Sequence, residues 1–328
     1  MKVLFIGGTG IISSACSQLA VEQGVDLYLF NRGESSKKRS IPEGANVLIG
    51  DINNTKSMVK VLDEHAFDVV VNWIAYTPDQ VQRDIQLFQN RTDQYIFISS
   101  ASAYEKPVRQ FPITEETPLV NPFWEYSQNK ADCETFLMKA HVEEGFPITI
   151  VRPSHTYDKT LFPFRGGYTV LDRMRKGQPV VVHGDGESHW VLTQHYDFAV
   201  GFSGLLGKTE ALGEAYHITS DEQLTWNQIY ATVAEKAGAE FKPVHVPPEF
   251  IARYDPDWGA SLLGDKSHSV SFDNTKIRKL VPEFVRQAPF AEGCEEIIGW
   301  HDADAGRRIV SEDFSKMLDR IIGEYDKF

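Results

Sequence analysis

The chain opens with Lys2-Val-Leu-Phe-Ile-Gly7-Gly8-Thr9-Gly10-Ile-Ile-Ser13, and this stretch decides the fold. Residues 3–7 form a short apolar run bounded by glycine, which predicts a strand buried on both faces. From Ile11 the apolar residues recur at three- and four-residue spacing until Gly24, which predicts a helix. A glycine turn leading into a helix N-terminus presents backbone N–H groups at the positive end of the helix dipole. We therefore expect this turn to bind a phosphate group.

Strands and helices alternate through the first half of the chain. Short apolar runs predict further strands at residues 25–30, 46–49, 67–72, 95–99 and 148–151. Helical patterns lie between them at residues 55–65, from Pro78 after an N-cap at Thr77, and at 125–144. This alternation predicts an α/β fold with a doubly wound parallel sheet.

The alternation weakens beyond residue 153. Helical patterns continue at 168–176, 197–206 and 226–237, while residues 241–270 are rich in proline and aromatic residues. We expect one domain at 1–153 that contains the sheet. A smaller, mixed region at 154–328 is expected to bind substrate at the carboxyl ends of the strands. The segment near 189–206 is compatible with either domain.

Composition restricts the class of partner. The chain has 328 residues, of which 42% are hydrophobic and 24% charged, as in an ordinary globular protein. A formal net charge of −13 argues against nucleic acid or an anionic membrane as the main partner. Cys16, Cys133 and Cys294 lie far apart and form no disulfide pattern, and no apolar run is long enough for a membrane span. We therefore expect a cytoplasmic protein.

Residues 126–130, Tyr-Ser-Gln-Asn-Lys, place a phenol and an ammonium on one helix face. A free tyrosine has a pKa of about 10, and a neighbouring lysine would lower that pKa towards the neutral range. Ser100 follows the fifth predicted strand, where its hydroxyl could hold a substrate oxygen while Tyr126 moves the proton. Because Tyr-x-x-x-Lys also occurs by chance on exposed helix turns, the pattern gains weight only from its context.

That context resembles the extended short-chain dehydrogenase/reductases, the NAD(P)-dependent epimerase/dehydratase family. The resemblance covers nearly the whole chain: Gly7-x-x-Gly10-x-x-Ser13, then Ser100, then Tyr126 and Lys130, in the family's order and spacing. Ser13 replaces the third glycine at a position that sets helix–strand packing and can take a small residue. The resemblance implies an NAD(P)-binding Rossmann domain at 1–153. It further implies that Tyr126 is the general acid/base, Ser100 the catalytic serine, and Lys130 the group that lowers the tyrosine pKa and binds the nicotinamide ribose.

The cofactor-binding residues that we expect are Gly7, Thr9, Gly10, Ile11, Ile12, Asn31, Arg32, Asp51, Ile52, Asn72, Ala75, Tyr126 and Lys130. NAD-binding folds usually end the second strand with an acidic residue that binds the ribose 2′-hydroxyl. Here that place holds Asn31-Arg32, and Lys37 or Lys38 could add positive charge. We therefore expect NADP, with NAD possible.

The reaction and the substrate are narrowed by two departures from the family's patterns. The family's dehydratases carry an acidic pair after the active-site serine or threonine, whereas this chain has Ala101 and Ser102, so epimerisation or carbonyl reduction remain. Nucleotide-sugar enzymes of the family often carry an arginine for the diphosphate, and counting within residues 184–199 puts Trp190 at that position. An indole offers no charge to a phosphate. We therefore predict a smaller sugar, polyol or different conjugate stacked on Trp190.

Further candidate substrate-binding residues are His155, Arg165 and Arg278. The histidine spacings match no common metal-ligand motif, so we expect no metal. By resemblance, we expect a homodimer formed through helices at 78–90 and 125–144.

A non-catalytic alternative on the same fold is an RNA-binding or redox-sensing protein. Some relatives with a similar glycine turn resemble the chloroplast stem-loop-binding proteins. RNA binding calls for a basic face, and the cluster Lys37-Lys38-Arg39 is short. Because Ser100, Tyr126 and Lys130 are all present, the sequence favours an enzyme.

Overall fold

The computed structural model describes residues 1–33, 39–285 and 287–327. The strands are β1 (Lys2–Ile6), β2 (Asp26–Asn31), β3 (Asn46–Ile49), β4 (Val69–Asn72), β5 (Gln94–Ile98), β6 (Ile148–Pro153), β7 (His155–Tyr157), β8 (Val180–His183), β9 (His189–Trp190), β10 (Leu192–Gln194), β11 (Glu214–Ile218), β12 (Leu224–Thr225) and β13 (Pro243–Val246). The helices are α1 (Ile11–Glu22), α2 (Thr55–Glu64), α3 (Pro78–Phe88), α4 (Glu125–Glu144), α5 (Tyr168–Arg175), α6 (His195–Ser203), α7 (Trp226–Lys236), α8 (Pro248–Ile251), α9 (Pro256–Ser261), α10 (Thr275–Leu280), α11 (Phe290–Asp302) and α12 (Glu312–Tyr325).

A seven-stranded sheet in the order β11-β6-β5-β4-β1-β2-β3 forms the centre of the protein. All of its strand pairs are parallel. The strand order reverses between β1 and β4, and the crevice at such a switch point is where open α/β sheets bind ligands. The predicted doubly wound parallel sheet is confirmed.

Helices cover both faces of this sheet, which is why its central strands contain few polar residues. On one face α1 and α6 pack against the sheet through side chains that include Leu19 and Phe202. On the other face α3 and α4 contribute, among others, Leu87 and Leu137. Each helix therefore buries one apolar stripe, and the strands between them are buried on both faces.

The last strand of the sheet comes from far along the chain. β11 pairs with β6 from Glu214 opposite Thr149 to Ile218 opposite Pro153. Residues 195–218 thus contribute both α6 and β11 to the sheet layers. The division into domains at residue 153 stays a prediction.

The remaining strands form three small pairs beside the sheet. β7 pairs with β10 and β8 with β13 in parallel, whereas β9 and β12 are antiparallel. Together with α5, α7 and α11 they enclose a separate apolar core, which includes Trp190, Trp226 and Phe290. This region lies beside the carboxyl ends of the sheet because β7 follows β6 directly.

Candidate functional site

A cleft of about 1090 Å³ lies at the carboxyl ends of the sheet strands, and the turn after β1 forms its floor. Gly7 and Gly8 have φ angles of +102° and +99°, a region that side chains disfavour. A Cβ atom on Gly8 would lie 2.7 Å from Leu29 Cδ2, and one on Gly7 would lie 3.2 Å from Trp73 Cβ. The turn therefore needs glycine at both positions.

Serine side chains fasten this turn to α1. The Ser13 hydroxyl accepts a hydrogen bond of 2.8 Å from the Gly10 N–H, and the Ser17 hydroxyl donates one of 2.9 Å to the Gly8 carbonyl. Ser13 thus replaces the family's third glycine with a bond that holds the turn closed. Ile11 and Ile12, at the start of α1, line the cleft beside this turn. This arrangement suits a pyrophosphate, because the helix N-terminus and its dipole face the cleft.

The structure brings most of the predicted cofactor residues to this cleft. Those that line it are Gly7, Thr9, Gly10, Ile11, Ile12, Asn31, Arg32, Asp51, Ile52, Tyr126 and Lys130. Asn72 and Ala75 lie behind its lining. The buried Asn72 amide donates to Asp84 and accepts a 2.9 Å hydrogen bond from Ile74 N–H. These two residues shape the cleft wall, and sequence alone did not distinguish that role from contact with a ligand.

Two arginines line the cleft, and one of them directly follows β2. Arg32 follows Asn31, whose side chain accepts a 2.8 Å hydrogen bond from Gly33 N–H. Arg39 lines the cleft too, and its guanidinium donates to Asp158 Oδ2 at 2.5 Å. The predicted contributors Lys37 and Lys38 lie outside the described residues. Arg32 thus places a cationic group next to the position where NAD-binding folds usually carry a carboxylate.

Lys130 is held inside the cleft by two backbone acceptors. Its Nζ donates 2.7 Å hydrogen bonds to the carbonyls of Ala75 and Ile98 and lies 4.5 Å from the centre of the Tyr76 ring. Burial lowers the pKa of Lys130 to about 7. The two short bonds fix the ammonium at the carboxyl end of β5, beside the start of α4.

The pKa of Tyr126 differs from the sequence-based expectation. Burial raises it to about 12, an interaction with the Ser100 hydroxyl lowers it, and Tyr76 and Asp265 raise it further. We expected a lowered pKa because of Lys130. That expectation is wrong for the protein without a bound cofactor. Burial destabilises the charged phenolate of Tyr126 by more than the hydrogen bond with Ser100 stabilises it.

Three hydroxyls form a chain beside the phenol. Ser100 Oγ and Ser102 Oγ lie 2.9 Å apart, and the Ser127 hydroxyl donates to Ser102 Oγ at 2.9 Å. Ser102 N–H also donates to Ser100 Oγ at 3.2 Å. Ser102 was considered only as a replacement for the dehydratase acidic pair, and the structure shows that it orients Ser100.

A second cavity, of about 310 Å³, adjoins the cleft, and Ser100 and Tyr126 line both. His155 and Trp190, which we predicted to bind substrate, line this pocket. The Trp190 indole N–H donates to His155 Nδ1 at 3.0 Å. Burial lowers the pKa of His155 to about 3, so this imidazole is neutral and can accept the bond. Trp190 therefore presents a ring to the pocket while its only donor is occupied.

The other two predicted substrate-binding residues lie elsewhere. Arg165 binds Asp255 through bonds of 3.0 and 2.7 Å, and Arg278 pairs with Asp221. Neither arginine lines the cleft or the pocket. Their predicted role as cations that replace the missing arginine at Trp190 is wrong.

Two charged residues that line the pocket have no counterpart among the sequence-based predictions. Asp265 and Lys266 lie in a π-helical turn, Leu262–Lys266, and Trp124 precedes α4. The turn belongs to the proline- and aromatic-rich segment at 241–270, which carries no motif. The turn can be recognised as part of the site only from its position beside the pocket, and that position depends on the tertiary fold.

The described ranges, residues 1–33, 39–285 and 287–327, contain neither a cluster of metal ligands nor a helix suited to a membrane. No group of three or more His, Cys, Asp and Glu side chains in those ranges could hold a metal ion. Within the same ranges, no helix combines the length and apolar character needed to cross a bilayer.

Comparison with known proteins identifies the family. The model of the NAD dependent epimerase/dehydratase family matches residues 3–219. The chain belongs to this family, as the sequence resemblance predicted. Apart from Lys2 of β1, the residues matched contain the whole sheet, and they include the glycine turn, Ser100, Tyr126 and Lys130.

Curated relatives differ in what their names describe. The UDP-glucose 4-epimerase of Lactobacillus helveticus is 30% identical over 169 residues, which cover 46% of this chain and only 51% of that enzyme. Chloroplast stem-loop binding protein of 41 kDa b from Arabidopsis thaliana is 26% identical over 76% of this chain and 66% of that protein. The 2′-dehydrokanamycin reductase of Streptomyces kanamyceticus is 23% identical over 87% of this chain and 80% of that enzyme.

Solved structures show the same fold. UDP-glucuronic acid 4-epimerase from Bacillus cereus, in complex with UDP-glucuronic acid and NAD, superposes with a TM-score of 0.76. It is 18% identical, and the match covers 92% of this chain and 99% of that one. At this identity, the likeness concerns the fold alone.

Proposed function

We propose that this protein is an NAD(P)-dependent epimerase or reductase that acts on a carbinol or carbonyl of a small, sugar-like molecule. One observation carries the proposal: Ser100 and Tyr126 line both the cofactor cleft and the small pocket. A substrate in the pocket and a dinucleotide in the cleft would therefore meet at these two side chains.

The chain's own groups suit a proton transfer at that junction. Bound NAD(P) would supply the hydride acceptor and donor. Tyr126 would exchange a proton with the substrate oxygen, and Ser100, held by Ser102, would hydrogen-bond to the same oxygen. Lys130, fixed by two carbonyls, would stabilise the phenolate that forms and bind the nicotinamide ribose. Ala101 and Ser102 follow Ser100 without a carboxylate, which supports epimerisation or reduction over dehydration.

The pocket supports a substrate without a nucleoside diphosphate. Its volume of about 310 Å³ is at the small end for ligand sites. Trp190 stands where many nucleotide-sugar enzymes of the family carry an arginine, and among the described residues no arginine lines this pocket. The relative named 2′-dehydrokanamycin reductase shows that the family includes enzymes whose names mention no nucleotide sugar.

Titration with nucleotides tests this substrate class. In the presence of NADP, we expect UDP, dTDP and GDP to leave the melting temperature unchanged, because the described lining of the pocket offers no arginine fork to a diphosphate. Differential scanning fluorimetry measures the shift. Clear stabilisation by any of the three at sub-millimolar concentration would restore a nucleotide-sugar epimerase.

Cofactor choice is proposed to favour NADP, because Arg32 follows β2 directly and both Arg32 and Arg39 line the cleft. We expect NADP to bind more tightly than NAD and Arg32→Ala to remove most of the difference, since a planar cationic group suits the 2′-phosphate. Calorimetry with both cofactors measures this. Arg91→Ala, which removes an exposed arginine paired with Asp63, is the matched control and should change neither affinity. Equal affinities in the unmutated protein would refute the preference.

RNA binding is the second candidate, because the Arabidopsis stem-loop binding protein matches 76% of this chain. The net charge of −13 opposes it, since RNA affinity depends on basic groups that contact phosphates. Retention of structured RNA on a nitrocellulose filter at physiological salt would support RNA binding over the enzyme.

A cytoplasmic location and a homodimer through α3 and α4 stay predictions.

A further inference from the structure

The small pocket contains a lysine, Lys266, whose ammonium contacts two aromatic rings and makes no hydrogen bond to the part of the chain that the structure describes. Lys266 Nζ lies 5.3 Å from the centre of the Trp124 ring and 5.8 Å from that of Trp190. Its ion pair with Asp265 Oδ2 is long, at 3.9 Å. Lys266 lines the pocket, so its ammonium is available to a ligand there.

A second lysine, Lys106, lies near the same carboxylate as Lys266. The side chain of Lys106 is completely buried, and its Nζ lies 3.5 Å from Asp265 Oδ1 without a well-formed hydrogen bond among the described residues. One carboxylate therefore serves two ammonium groups. The nearby imidazoles add no charge at neutral pH, because burial lowers the pKa of His155 and His268.

The burial of Lys106 and Lys266 favours the binding of an anion next to them. Desolvation lowers the pKa of both Lys106 and Lys266, and Asp265 only partly offsets this effect. An anionic ligand would favour the charged form of each lysine in the same way as Asp265 does. A cationic substrate would meet repulsion instead.

Lys266 lies beside Trp124 in the pocket lining, and Trp124 in turn contacts Tyr126. The Trp124 ring centre, 5.3 Å from Lys266 Nζ, is 4.9 Å from the Tyr126 ring centre. The cation and the phenol therefore pack around the same indole, and all three residues line the pocket, so a ligand that contacts Trp124 lies near both groups. The pocket thus has a proton-transfer end and a cationic end.

We propose that Lys266, supported by Lys106, binds an anionic oxygen group of the substrate, a carboxylate or a phosphate monoester, while the reacting carbinol lies at Tyr126. This inference rests on the proposed function and narrows its substrate class to sugar acids or sugar phosphates. The alternative is structural: the ion pair with Asp265 and the contacts with Trp124 and Trp190 would merely hold the π-helical turn.

Three probes that differ only at carbon 6 separate these roles: glucose, glucuronate and glucose 6-phosphate. With NADP present, isothermal titration calorimetry should show at least tenfold tighter binding of one anionic probe than of glucose, because only that probe pairs with the ammonium. The stronger of the two anions identifies carboxylate or phosphate as the group. Lys266→Met should abolish the difference and Lys266→Arg should retain most of it. Lys242→Met, which removes a lysine paired with Glu240 outside both cavities, should leave it unchanged.

The outcomes also separate this inference from the proposed function. Equal binding of all three probes, or binding of none, overturns the anion site, and so does an anion preference that survives in a folded Lys266→Met variant. Glucose binding without an anion preference would overturn the site and leave a small-sugar enzyme standing. Loss of NADP binding in every arm would contradict the proposed function itself.

Discussion

Replacing Tyr126 with phenylalanine is expected to lower turnover by about 10²–10⁴-fold while cofactor affinity is preserved. The substitution removes only the hydroxyl that exchanges the proton, and the ring keeps its contact with Trp124. Steady-state kinetics on an identified substrate and calorimetry with NADP measure the two effects. Turnover close to that of the unmutated protein would remove Tyr126 from the mechanism.

Two companion variants separate chemistry from the architecture of the cleft. Lys130→Met should impair both turnover and cofactor binding, because it removes an ammonium that is bonded to two carbonyls inside the cleft. Tyr76→Phe removes a neighbouring phenol that also lines the cleft, and it should change turnover little. A loss of activity in Tyr76→Phe as large as that in Tyr126→Phe would mean that the wrong phenol was assigned.

Replacing Glu134 with alanine is expected to reduce the free energy of unfolding by about 3–5 kcal/mol, because it leaves a buried guanidinium without its counter-charge. Arg152 Nη2 lies 2.6 Å from Glu134 Oε2, its Nε donates to Oε1 at 3.0 Å, and both side chains are buried. The same guanidinium donates to the Tyr104 hydroxyl and the Glu115 carbonyl. Urea denaturation followed by circular dichroism measures the change.

A control variant lies on the same helix. Glu143→Ala removes a carboxylate that is 58% exposed and 3.8 Å from Lys139, and pairs of this kind contribute about 0–1 kcal/mol. If Glu134→Ala costs no more than Glu143→Ala, the buried pair is not the stabilising contact that its geometry indicates. Because Pro153 and Ser154 follow Arg152 and line both cavities, the Glu134 variant should also weaken cofactor binding.

Local patterns predicted the sheet well because they were strong. β3 (Asn46–Ile49) and α4 (Glu125–Glu144) have the bounds that the sequence predicted, and β1 is displaced by one residue. The glycine spacing of residues 7–10, between an apolar run and a helical pattern, marked this turn in the sequence, although the packing that requires Gly7 and Gly8 involves Trp73 and Leu29. Strand and helix bounds depend mainly on neighbours in sequence, so a single chain reveals them.

Features set by distant contacts could not be predicted in this way. β11 (Glu214–Ile218) gave no strand prediction, because its role depends on the open edge of β6. Asn72 ends a strand at the correct edge, yet its amide binds Asp84 behind the cleft. Lys266 enters the pocket only because a turn far along the chain folds against Trp124. In each case a contact between distant residues decides the role.

The late arrival of β11 has a consequence for biosynthesis. When residue 153 leaves the ribosome, β6 is an open edge, and the face of α1 that α6 will cover is exposed. Unpaired strand edges and uncovered apolar faces promote association with other chains. Until Ile218 has emerged, β11 cannot cover the edge of β6, and the first half of the nascent chain can associate wrongly with other chains. Chaperones should therefore bind the nascent chain mainly while residues 154–218 are being synthesised.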